Sequence, residues 1–346
     1  MGRGAGRPRR RPHLRHRAAP LEHGHGAEAV IARAELAPAP PRVSHLTSVA
    51  DLDSAGLGRI LDSAAALRDQ RAAGRVPQLL AGRHVALLFE KPSLRTRVTF
   101  DVGIDALGGQ AVYLGPDEVG LGRRETAADI GRNLSRWVDA IVLRTFAHDT
   151  LTELADAASV PVVNALTDQE HPCQALADLL TLRQHLGELR GRTLAFVGDG
   201  NNVCHSLMLA GAIAGLHVRV ATPPGYEPDP LVVERAQLAT AAGGSVSVGN
   251  DPRVAVRGAD AVYTDTWTSM GAEAEADLRR LRFAGFRVDA SLLADAPEAL
   301  VMHCLPAHRG EEISEEALDG PRSVVLDQAE NRLYVQQAIL VDLLGA

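Results

Sequence analysis

The chain has 346 residues, 46% of them hydrophobic and 23% charged, which is long enough for two domains that each bury a core. Residues 1–42 carry nine Arg and three Glu, a local +6 that leaves −13 for the rest of a chain whose total is −7; so acidic a body argues against nucleic acid as a partner. Cys173, Cys204 and Cys304 show neither metal-ligand spacing nor an even disulfide framework, which fits a reducing compartment, and no apolar run reaches the ~18 residues of a membrane span.

Residues 1–42 are rich in Arg, Gly, Pro, Ala and His, and the first 20 contain no acid. Such a segment cannot offset its ordering entropy by burial, so disorder is expected. It could be a transit peptide, a basic nucleic-acid arm or the product of a start assigned too far upstream. It lacks the Ser content of transit peptides, and it is read as an incidental tail.

From His45 the pattern becomes globular, with Leu46, Val49, Leu52, Leu57, Ile60, Leu61 and Leu67 at helical spacing. The run Val85 to Phe89 has strand length. After Glu-Lys-Pro a helix is expected near Ser93, with Phe100, Ile104 and Leu107 on one face. Strand Ala111 to Leu114, an irregular stretch Gly115 to Arg124, a helix and the apolar run Val138 to Leu143 follow, then helix Leu151 to Ala158 and the run Val160 to Val163. Strand and helix trade places, which implies parallel sheet.

His171-Pro172-Cys173-Gln174 opens a helix, with Pro at home in its first turn and Ala175, Leu179, Leu182 and Leu186 as its apolar stripe. It is expected to bridge the domains. A second α/β unit then starts with strand Thr193 to Val197, the turn Gly198 to Asn202 and helix Val203 to Ala214. Strands near Val218 to Ala221, Ala261 to Thr264, Leu300 to His303 and Val324 to Leu326, and a last helix Glu330 to Leu344, complete it. The expected domains are 43–182 and 183–325, with 326–346 a helix packing back on the first.

Chemistry concentrates around Ser93. A strand, a Pro-containing turn and a helix start present free backbone N–H groups, and Lys91, Arg95 and Arg97 add charge there. Cations at a helix N-terminus oppose the dipole unless an anion compensates, so a phosphate pocket is favoured over a merely basic surface turn. The chain holds 35 Arg and one Lys, Lys91. Arg144, Asp265, Cys304 and the Ser93 to Arg97 segment all sit just past predicted strand C-termini, where open α/β sheets bind ligands. Gly198-x-Gly200 invites a dinucleotide reading, but the third fingerprint position is Val203 and Asn201 and Asn202 place side chains where close backbone approach is needed.

Ser93-Leu94-Arg95-Thr96-Arg97 resembles the carbamoyl phosphate motif, Ser-Thr-Arg-Thr-Arg, of the aspartate/ornithine carbamoyltransferase family. Asp265-Thr266-Trp267-Thr268-Ser269-Met270-Gly271 and His303-Cys304-Leu305-Pro306 resemble the motifs of its ornithine branch, and the similarity runs from about residue 44 to the end. It implies two doubly wound parallel-sheet α/β domains, one for carbamoyl phosphate and one for ornithine, joined by helices. The implied reaction is transfer of the carbamoyl group to the δ-amine of L-ornithine, giving citrulline and phosphate, with no cofactor and no metal, in a cytoplasmic homotrimer without a membrane or nucleic-acid partner.

The resemblance also implies roles. Ser93, Leu94 through its backbone, Arg95, Thr96, Arg144, His171, Gln174, Cys304, Leu305 and Arg332 would bind carbamoyl phosphate. Asn202, Asp265, Ser269 and Met270 would bind ornithine, and Arg95, His171 and Cys304 would be catalytic. Asp265 is expected at the α-ammonium, and Cys304 is expected to take the δ-nitrogen proton if Arg charge lowers its thiol pKa. Two positions depart from the family pattern: Leu94 for Thr, and Gly120 where many ornithine enzymes carry a Gln. A pocket that has kept binding but lost turnover is the non-enzymatic alternative, against which Arg95, His171 and Cys304 stand intact.

Overall fold

A computed structural model describes residues 45–346, apart from 122–123, 242 and 269–272, together with residues 1–2. The N-terminal segment and the ornithine-binding assignments of Ser269 and Met270 therefore lie outside the described residues. Two parallel sheets carry the fold. β1 (His84–Phe89), β2 (Gln110–Leu114), β3 (Ala140–Arg144) and β4 (Val162–Leu166) form the first, in the order β2-β1-β3-β4. β5 (Thr193–Val197), β6 (His217–Ala221), β7 (Ser245–Gly249), β8 (Ala261–Thr264) and β9 (Leu300–His303) form the second, in the order β7-β6-β5-β8-β9. This is the two-domain α/β architecture the alternation implied.

Each central strand is covered on both faces, which is why it reads as an unbroken apolar run. In β1, Val85, Leu87 and Phe89 enter one core while Ala86 and Leu88 enter another behind the sheet. In β5, Leu194 and Phe196 enter that same first core, and Ala195 and Val197 a third. The inner faces of both sheets thus share one apolar body, with the Pro172–Leu186 helix, buried from Pro172 through Leu182, and the Val325–Leu344 helix inside it. Each fully buried Leu or Phe contributes about 1.5–3 kcal/mol, so the two lobes are held by one continuous contact rather than by a linker. No helix among the described residues is long and apolar enough to cross a membrane.

Four local expectations are corrected. Val324 to Leu326 is not a strand: the Val325–Leu344 helix begins there, and only an isolated bridge from Ser323 to Val301 reaches the sheet. A three-residue apolar run has no periodicity that separates strand from buried helix. The stretch from Gly115 contains a helical turn, Pro116–Val119. β3 starts at Ala140 rather than Val138, and β4 runs Val162–Leu166 rather than Val160 to Val163. β7 was not foreseen; as an edge strand, Ser245-Val-Ser-Val-Gly249 buries only Val246 fully.

Candidate active site

Strand C-termini from both sheets open into one cleft of about 670 Å³. Past β1, Ser93 caps the Leu94–Ala106 helix, its Oγ accepting from Thr96 N at 3.3 Å. Phe100 and Ile104 anchor that helix in the core, and Gly103 lets it approach the C-terminal helix: Gln337 Nε2 donates to Gly103 O at 2.9 Å, and a Cβ at 103 would meet Gln337 Cγ at 3.2 Å.

The close approach aims Arg332 at the helix start. Arg332 Nη2 donates to Thr96 Oγ1 at 2.7 Å and Nη1 to Gln174 Oε1 at 2.8 Å, joining residues 236 positions apart. Arg144, at the end of β3, reaches the same Thr96 hydroxyl at 3.5 Å. Burial, then the neighbouring Arg332 and Arg95, push the Arg144 guanidinium down to about 10. The Nε atoms of Arg144 and Arg332 are buried and unpartnered, and so is His171 Nδ1. Burial and the same two arginines hold the His171 imidazole well below 6.5, in its neutral form. Several buried cations with open donors and, among the described residues, no ion pair to a carboxylate make a receptor for a multiply charged anion.

The wall from the second sheet has the opposite character. Asp265, past β8, is 7% exposed, and among the described residues no cation pairs with it. Its oxygens accept instead from Asn201 Nδ2 at 2.8 Å, Thr266 N at 2.7 Å and Cys304 Sγ at 2.9 Å. A buried carboxylate without a counter-ion suits an ammonium-bearing ligand. Asn202 also faces the cleft, its Nδ2 donating to Thr167 O at 2.6 Å. Leu305, at φ 55°, is held by its N–H to His303 Nδ1 at 2.9 Å.

Every described residue assigned from the sequence, from Ser93 through Leu305 to Arg332, lines this cleft. Arg97 does not: it turns outward, stacked over the Tyr113 ring at 3.6 Å, so the expected triad of cations reduces to Lys91 and Arg95. Lys91 lies over the Phe146 ring at 4.2 Å. The condition placed on Cys304 fails as well. Burial, the Asp265 charge and the hydrogen bond to it raise the thiol well above its ordinary 9, because the nearest charge is a carboxylate and not a guanidinium. Asn201, which caps the Asn202–Ala214 helix and orients Asp265, was missed. Its Asn before an apolar helix was a legible capping signal; its contact with Asp265 was not.

The Gly198-x-Gly200 turn has a local cause. Gly198 sits at φ 144°, and a Cβ on Gly200 would meet Pro228 N at 2.2 Å. The glycines fit the chain against itself rather than against a pyrophosphate.

An anion receptor from one parallel sheet thus faces a buried, unpaired carboxylate from the other across one cleft, the arrangement of a site that brings an anionic ligand against an ammonium-bearing one. The model of the aspartate/ornithine carbamoyltransferase carbamoyl-P binding domain matches residues 44–184 and that of the Asp/Orn binding domain residues 190–343, so the chain belongs to this family. Within it, the chain is similar to the ornithine carbamoyltransferase of Acidothermus cellulolyticus, 56% identical over 308 residues that cover 88% of this chain and 97% of the relative. The structure of the Pyrococcus furiosus ornithine carbamoyltransferase is 46% identical with a TM-score of 0.86, covering 88% of this chain and 98% of that one. An acetylornithine transcarbamylase complexed with acetylcitrulline is more distant, 32% identical with a TM-score of 0.78, over 86% and 98%.

Proposed function

We propose that this chain transfers the carbamoyl group of carbamoyl phosphate to the δ-amine of L-ornithine, giving L-citrulline and phosphate, a reaction of arginine and citrulline metabolism. The observation that carries this is the single cleft in which the Thr96–Arg332–Arg144 cluster faces the unpaired carboxylate of Asp265.

In this reading Ser93, Arg95, Thr96, Arg144, Arg332 and the Leu94 N–H hold the phosphate. Arg95, Thr96 and His171 meet the carbonyl oxygen where negative charge develops, and Gln174 Oε1 accepts from the carbamoyl amide. Cys304 and Leu305 close that side. Asp265 takes the α-ammonium with Ser269 and Met270, and Asn202 the α-carboxylate.

The δ-amine resembles a Lys amine, so reaching its neutral form at pH 7 costs roughly 4.6 kcal/mol. Its lone pair attacks the carbonyl carbon, the new C–N bond forms, and the bond from carbon to the phosphate oxygen breaks. Because Cys304 is protonated, the nitrogen's surplus proton goes to the departing phosphate, which accumulates negative charge as it leaves.

A cytoplasmic homotrimer remains part of the proposal. Leu94, Val98 and Val102 stand 76%, 48% and 43% exposed at i, i+4 and i+8 beside the phosphate helix start, an apolar stripe suited to a second copy of the chain. The activity is tested by colorimetric citrulline detection with ornithine, N-acetylornithine and putrescine in parallel. Citrulline from ornithine alone supports the reading; turnover confined to N-acetylornithine, or none with any acceptor, refutes it.

A further inference from the structure

One buried carboxylate in the site has no role in the reaction above. Asp178 lies one turn beyond Gln174 on the Pro172–Leu186 helix, fully buried. Its Oδ1 accepts from two side-chain amides, Gln174 Nε2 and Gln328 Nε2, each at 2.8 Å. Burial pushes its carboxyl up to about 6, against the pull of these two donors.

An amide has one donating and one accepting end, and its partners decide which end faces the reactants. Arg332 can only donate, and it takes Gln174 Oε1; ionised Asp178 can only accept, and it takes Nε2. The oxygen is thereby turned to the cleft, where a carbamoyl NH2, itself donor-only, needs an acceptor. Gln328 repeats the arrangement: its Nε2 is spent on Asp178, so its Oε1 accepts from His303 N at 3.0 Å, at the strand end that carries Cys304.

We propose that Asp178 is a positioning residue for the transfer, fixing the amide of Gln174 with its oxygen toward the carbamoyl group and, through Gln328, the seat of the His303–Cys304 strand end. This rests on the carbamoyl-transfer reading. Both amides donate to the same oxygen, so Asn would keep their acceptor, whereas replacing the carboxylate by the hydrocarbon of Leu removes the polarity that dictates both orientations while roughly keeping the volume.

The test is steady-state kinetics on the full chain, with thermal unfolding to confirm folding. Asp178→Leu should raise KM for carbamoyl phosphate about tenfold or more and lower kcat, with a smaller change in KM for ornithine, since Gln174 meets the donor directly whereas Gln328 reaches the Cys304–Asp265 pair only through the strand end. Gln174→Glu alone, which sets two carboxylates against each other, should also lose carbamoyl phosphate. The double variant Gln174→Glu/Asp178→Asn restores a donor facing an acceptor and should outperform Gln174→Glu by about tenfold in kcat/KM for carbamoyl phosphate. This comparison still decides if Asp178→Leu fails to fold. A folded Asp178→Leu with unchanged KM for carbamoyl phosphate, or a double variant no better than Gln174→Glu, overturns the proposal. Wild-type protein without citrulline formation would instead sink the reaction itself.

Discussion

Cys304 Sγ donates to Asp265 Oδ1 at 2.9 Å, so the thiol past β9 and the carboxylate past β8 act as one hydrogen-bonded pair in the cleft wall from the second sheet. The pair keeps the proton on sulfur. Alkylation by iodoacetamide at pH 8 should therefore be slower at Cys304 than at free cysteine, and Asp265→Asn should speed it about tenfold by removing the charge that raises the thiol. Cys173 and Cys204 are fully buried and will not obscure the readout. A Cys304 that reacts faster than free cysteine would show an anionic sulfur.

The arginine cluster trades stability for binding. With burial and then Arg332 depressing Arg144, burial also depressing Arg332, and both unpartnered at Nε, Arg144→Gln should leave the ligand-free protein as stable as wild type or more so. Carbamoyl phosphate at a hundred times its Kd should raise the wild-type Tm by roughly 4 °C, and most of that gain should vanish in the variant. Thermal scans with and without ligand check both halves.

His171 links stability to pH. Its folded pKa lies below 6.5, with burial the main cause and Arg332 and Arg144 behind it. As pH falls below 6.5 the unfolded chain takes up a proton that the folded one refuses, so this group lowers stability there and has no effect above about 6.5. Between pH 7 and 5, wild type should lose Tm more steeply than His171→Gln. Parallel slopes would mean that the imidazole takes up its proton in the folded chain as readily as in the unfolded one.

The exposed stripe on the Leu94–Ala106 helix is where the proposed trimer can be tested. Val98→Asp places a charge mid-stripe at a 48% exposed position, where the isolated chain tolerates it. Light scattering after gel filtration should find a trimer for wild type and mostly monomer for the variant. A wild-type protein that is monomeric and fully active would end the shared-surface reading.

What the sequence disclosed and what it withheld divide along physical lines. Ser93, Arg95 and Thr96 were legible because a helix start, its cap and its cations are local. Their convergence with Arg144, Asp265 and Cys304 was legible because each follows a strand that points the same way, whereas His171 and Arg332, the latter inside the last helix, came from the resemblance alone. The charge state of Cys304 was not, since it depends on Asp265, 39 positions away. Arg97 belongs to the same motif as Arg95 yet stacks on Tyr113, a choice made by the helical rotation of two residues. Asp178 read as an ordinary helix position; its two amide partners come from one turn back and from 150 positions on. Elements failed where they were short, as at Val324, or half-exposed, as in β7.

The most direct measurement is calorimetric titration with an ornithine whose δ-nitrogen carries a phosphonoacetyl group, alongside phosphonoacetamide and norvaline as its two halves. One cleft with an anion receptor on one wall and an ammonium receptor on the other predicts a single site per chain, at least about a thousandfold tighter than either half alone, and weakened by both Arg144→Gln and Asp265→Asn. Binding no tighter than that of the better half, or indifferent to either substitution, would contradict it.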